Sequence, residues 1–101
     1  MEERFEATLW VNNDPVEVND FVEKFLAKVA IAAASSLRGV ANVQQLELHM
    51  ERNDVEVIVN GKEIPLTSFP NDIIASTLIG LVSPLKGVEK VEVLKISVEV
   101  I

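Results

Sequence analysis

The chain has 101 residues, 49% of them hydrophobic and 25% charged, which suits one globular domain with a core of its own. It contains no cysteine, so disulfides, thiolate metal sites and a cysteine nucleophile are excluded. Nine basic residues stand against sixteen acidic ones, and the formal net charge of −7 repels phosphate backbones, so no nucleic-acid partner is expected.

In chain order the first element is an extended run, "FEATLWV" (5–11), with period-two alternation. The "NN" that follows predicts a turn, and 14–18 a short return strand. Asn19 stands two residues before Phe21 as the N-cap of a helix. That helix is expected to run to "SSLRGV", where Gly39 supplies a left-handed C′ residue and Arg38 faces the negative helix end. A strand, "QQLELHME" (44–51), closes the half. Leu46, Leu48 and Met50 share one face of it, and Glu47, His49 and Glu51 the other.

After "RND" (52–54), short enough for a hairpin, the same grammar returns. "VEVIV" (55–59) is followed by "NG", the strongest short hairpin signal because both turn positions favour positive φ. A return strand at 62–66 is confined to an edge by Pro65. Thr67 caps the second helix two residues before Phe69, and the helix is expected to end at "SPLKGV", with Gly87 at C′ and Pro84 making its last turn irregular. "VEVLKISVEV" (91–100) closes the chain. Val91 and Val93 are out of phase with the inward set Leu94, Ile96, Val98 and Val100, which predicts a bulge near 93–94.

Setting residues 7–51 against 55–99, an offset of 48 without gaps, gives twelve identical pairs in 45, among them Asn12/Asn60, Phe21/Phe69, Ile31/Ile79 and Gly39/Gly87. Ordinary composition gives roughly one match in fifteen. The pattern reads as an internal duplication: a single domain over 1–101 made of two pseudo-symmetric repeats, about 5–51 and 53–99. The expected class is α+β, a two-layer antiparallel sheet with two helices built from β(β)αβ units. If the return strands are minor, the order βαββαβ suits a ferredoxin-like sandwich with a pseudo-twofold axis between the two opening strands. If they are substantial, the sheet grows to six strands or splits in two.

Chemistry is sparse. The single histidine forms an E-x-H-x-E line with Glu47 and Glu51, a weak metal candidate set against an ordinary solvated strand face. Ser35, Ser36 and Ser83 have no histidine near them in sequence, no carboxylate pair stands out, and the four glycines are isolated from one another. These patterns point to no enzyme, no catalytic residue and no cofactor. Trp10 and its repeat partner Ile58 should point to the outer sheet face, as neighbours if the opening strands are central; they are a candidate ligand or partner patch.

The helices carry the strongest hint. Ile73 to Leu85 and Val29 to Leu37 are free of charge, whereas a surface helix should be polar outside. This predicts a homodimer packed through the helical layer, with Ile73, Ser76, Ile79, Gly80, Ser83, Ile31, Ala32 and Ser35 at the contact and Ile79 and Gly80 near its centre. The expectation is thus an acidic domain working by protein association. The alternative is a small-molecule-binding or regulatory module near Trp10 or the pseudo-twofold axis. No membrane partner is expected, because the longest uncharged run, Ile73 to Leu85, is too short to span a bilayer. The acidic start "MEERFEATLW" has no apolar signal region, which points to the cytoplasm.

Overall fold

The computed structural model describes residues 4–101. Its elements are β1 (Phe5–Val11), β2 (Asp14–Val16), α1 (Asp20–Ser35), β3 (Gln45–Glu51), β4 (Asp54–Val59), β5 (Lys62–Ile64), α2 (Ser68–Val82) and β6 (Val93–Val100). The six strands form one antiparallel sheet in the order β2-β1-β6-β3-β4-β5. Both helices lie on one face, so the fold is α+β in two layers. Among the described residues no helix is long and apolar enough to cross a membrane.

Three tight turns set the hairpins. Asn12 and Asn13, Arg52 and Asn53, and Asn60 and Gly61 all have positive φ, the geometry that matches the twist of antiparallel strands. Both return strands form, three residues each, at the two edges. Pro15 sits within β2, where an edge strand tolerates its missing N–H.

The strand neighbours differ from the expected arrangement. Side by side at the centre are the closing strands β6 and β3, not the opening strands β1 and β4. The return strands explain this. Each uses one edge of its opening strand, so β1 has room for β2 and β6 but not also for β4. A ferredoxin-like centre would require that third neighbour. Trp10 and Ile58 are accordingly not neighbours. No bulge forms near 93–94 either: β6 keeps an unbroken register with both β1 and β3. The strand begins at Val93, and Val91 lies before it, packed against the rim of the core.

The helices begin where the caps predict. Asn19 Oδ1 accepts a hydrogen bond from Val22 N–H at 2.8 Å. Thr67 is also an N-cap but makes no side-chain cap bond, because Pro70 stands where α1 has Val22 and offers no N–H. The helices end earlier than Gly39 and Gly87. They stop at Ser35 and Val82, and the chain continues in i→i+3 turns such as Leu37 N to Ala34 O and Leu85 N to Val82 O. Both glycines do take positive φ, at 84° and 85°, in the turns that lead away from the helices.

The core lies between the layers. Leu9, Leu46, Leu48, Val57, Leu94 and Ile96 from the sheet meet Leu26, Ala27, Ala30, Leu78 and Val82 from the helices, all at most 1% exposed. The buried positions of β3, Leu46, Leu48 and Met50, are those the alternation assigned inward.

Contacts recur at the 48-residue offset. Ala7 N donates to Glu23 Oε2 at 3.1 Å, and Val55 N donates to Asn71 Oδ1 at 2.8 Å. Each bond ties the first turn of a helix to the opening strand of its own half. Asn12 and Asn60 do the opposite. Asn12 Oδ1 accepts from Glu92 N and Val93 N, and its Nδ2 donates to Lys90 O. Asn60 Oδ1 accepts from Gln44 N and Gln45 N, and its Nδ2 donates to Asn42 O. Each asparagine thus fastens the closing strand of the other half.

Candidate functional surfaces

The outer sheet face is uncovered by any helix. Strand pairing lays its side chains in rows: Pro15, Trp10, Lys95, His49 and Glu56 in one, and Thr8, Ser97, Glu47, Ile58 and Glu63 in the next. Seven carboxylates point to this face from the strands: Glu6, Glu47, Glu51, Asp54, Glu56, Glu63 and Glu99. Lys95 is its one strand lysine. That balance of −6 is nearly the whole of the chain's −7.

Trp10 is half-buried on this face. Lys95 Nζ lies 4.9 Å from its ring centroid, a cation–π contact, and 3.9 Å from Glu47 Oε1. Asn13, Val93 and Lys95 complete a shallow depression around Trp10. Ile58 opens into a separate one lined by Thr8, Glu47 and Ser97. The two apolar side chains therefore share a face but form no common patch, with β6 and β3 between their strands.

Of the E-x-H-x-E line, Glu47 and His49 come together, with Nε2 to Oε1 at 3.6 Å. Glu51 stands one row further along and is exposed. Among the described residues no three His, Asp or Glu side chains gather as a metal site. His49 Nε2 is shielded from solvent and makes no hydrogen bond.

The helical face is different in kind. α1 packs over β1, β6 and β3, and α2 over β4. On the outward side of this layer, Ile73, Ser76, Gly80, Ser83, Ala32 and Ser35 are exposed. Ile31 and Ile79 are half-buried and pack against the core. The largest apolar exposure on this layer is at the helix starts, with Ile73 among it. Phe21 is 72% exposed and Phe69 73%, with Phe25 at 49% and Ile73 at 48%. Phe21 and Phe25, one helical turn apart, stack with ring centroids 5.9 Å apart. The four residues are two pairs at the 48-residue offset, one at the start of each helix.

Phe21 and Phe69 served in the sequence only as landmarks beside the caps. Their signal was spacing: an aromatic four residues before Phe25 or Ile73, in phase with neither Leu26 nor Ile74 of the inward stripe. The exposed charges on the two helices, Asp20, Lys24, Lys28 and Asp72, balance to zero.

No protein-family model, curated protein or solved structure matches this chain, so function has to be argued from these surfaces.

Proposed function

We propose that this chain works by protein association, as a homodimer packed through its helical layer. The observation that carries the reading is the exposure of Phe21, Phe25, Phe69 and Ile73 on one face. Apolar side chains left in water in such pairs are costly, and covering them is a common use of such patches.

Charge favours the same face. A second copy meeting the helices encounters no net charge there. The acidic sheet faces would lie outward, further away than the 18 Å thickness of the molecule, about two Debye lengths at physiological salt. Copies approaching sheet to sheet would bring two strongly negative surfaces together. Size is adequate as well: the molecule is a slab of 37 × 35 × 18 Å, and a stable interface needs about 800 Å² per partner.

Gly80, exposed in the last turn of α2, leaves room for a close approach. A Cβ built there would meet nothing within 4 Å, so packing within the chain does not demand glycine. We read Ala32 and Gly80 as the central low ground of the contact and the apolar pairs as its anchors. We also read the two halves as products of an internal duplication, related by a twofold relation between β6 and β3. Twelve identities at one offset and the recurring hydrogen bonds support this.

Light scattering of the unmodified protein at tens of micromolar tests the reading. A dimer that becomes monomeric on Gly80→Glu is the expected result. A monomeric unmodified protein overturns it.

A further inference from the structure

We infer that the contact is crossed: the start of α1 in one copy meets the start of α2 in the other, twice per dimer. This rests on the homodimer reading above and adds its geometry. The two apolar pairs occupy equivalent positions on opposite sides of the helical layer, since α1 begins beside β1 and α2 beside β4. A second copy turned face to face can cover both pairs at once in two ways. Either each pair meets its own counterpart, or each meets the other pair.

Charge decides between them. Beside the Phe21–Phe25 row, on its exposed flank, stands Lys24; beside the Phe69–Ile73 row, at the equivalent place, stands Asp72. Lys24 and Asp72 are themselves equivalent at the 48-residue offset, and they are opposite in sign. In the like-with-like arrangement Lys24 faces the partner's Lys24 and Asp72 the partner's Asp72, two repulsions on the twofold axis. In the crossed arrangement each Lys24 faces the partner's Asp72, giving two ion pairs beside two apolar contacts. Of the exposed helix positions where the halves differ in charge, only this one reverses sign, and the reversal makes the face self-complementary, whereas identical halves would carry the same charge at both places.

The chain has no cysteine, so single cysteines serve as rulers: they bridge only when their Cα atoms come within about 7 Å. Lys24→Cys and Asp72→Cys proteins are oxidised separately and as an equimolar mixture. The expected result is a mixed disulfide dimer from the mixture and none from either protein alone. Self-linking of Lys24→Cys, or a dimer by light scattering with no cross-link in any sample, overturns the crossed geometry and leaves the homodimer standing. A monomeric unmodified protein overturns both. As a second measurement, Lys24→Glu and Asp72→Lys should each raise the dimer dissociation constant at least about fivefold, and the two together in one chain should restore it. Single reversals without effect would count against the crossed contact.

Discussion

Asn60 and Gln45 hold each other by two hydrogen bonds: Asn60 N–H donates to Gln45 O at 2.8 Å, and Gln45 N–H donates to Asn60 Oδ1 at 2.9 Å. The same pair of bonds joins Asn12 to Val93, at 2.7 and 3.0 Å. An asparagine at the first position of a tight hairpin turn thus does two jobs. Its backbone accepts positive φ, and its side chain acts as an added peptide group at the start of a neighbouring strand.

Replacing Asn60 with Ala should therefore cost more than an ordinary turn substitution. It removes an acceptor shared by two N–H groups and a donor to Asn42 O, and it leaves alanine at positive φ. The expected loss is about 2–4 kcal/mol in urea unfolding, with Asn12→Ala alike within about 1 kcal/mol. A loss below about 0.5 kcal/mol at either position would show that solvent replaces the latch.

The ties from helix to opening strand are unequal. Among the described residues Glu23 accepts one bond, from Ala7 N, while Asn71 accepts from Val55 N and also donates to Asn53 O at 2.7 Å. Glu23→Ala is expected to cost about 1 kcal/mol and Asn71→Ala about 2 kcal/mol. Equal losses in thermal and urea unfolding would contradict this ranking.

Phe21→Ser and Phe69→Ser separate interface from core. Both rings are mostly exposed within one chain, so unfolding measured below the dimer's dissociation range should change by no more than about 0.5 kcal/mol. Self-association should weaken at least about tenfold for each. Loss of monomer stability instead would mean that the rings pack within the chain.

His49 gives a prediction of the opposite sign. Its Nε2 is shielded and makes no hydrogen bond, with Glu47 Oε1 3.6 Å away, on a strand at the centre of the sheet. His49→Thr removes that group and adds a good strand former, so stability should rise by about 0.5 kcal/mol. Equimolar Zn²⁺ should leave the unmodified protein's Tm within about 1 °C, because Glu51 stands apart from the Glu47–His49 pair. A shift of several degrees that disappears in His49→Thr would reveal a metal site.

Local features were legible in the sequence because local physics sets them. Alternation marked Leu46, Leu48 and Met50 as core, and Asn-Gly marked a turn of positive φ. Strand neighbours were harder, since periodicity says which way a side chain points and not which strand lies beside it. The deciding clue was nevertheless present: a two-residue turn after each opening strand commits one of its edges. The latches of Asn12 and Asn60 were invisible, because a turn asparagine looks the same whether or not its side chain reaches a distant strand. On the helices, the charge-free stretches drew attention to the outward side of the layer. Its most exposed apolar side chains lie before those stretches, at Phe21 and Phe69, in segments whose nearby charges made them look ordinary.

The central position of β6 bears on how the protein comes into being. The last of the described strands, Val93–Val100, separates β1 from β3 and pairs with both. Until it leaves the ribosome, the first hairpin has no sheet to join, and β3 with its own hairpin has one bare edge. Synthesis therefore offers no halfway stage in which the segment from β1 to β3 has its sheet complete. Folding waits for β6, and the ladder between β1 and β6 joins segments far apart in sequence, a slow step by topology alone. A nascent chain arrested before Val93 would expose two unpaired strand edges, the condition in which chaperones are needed most.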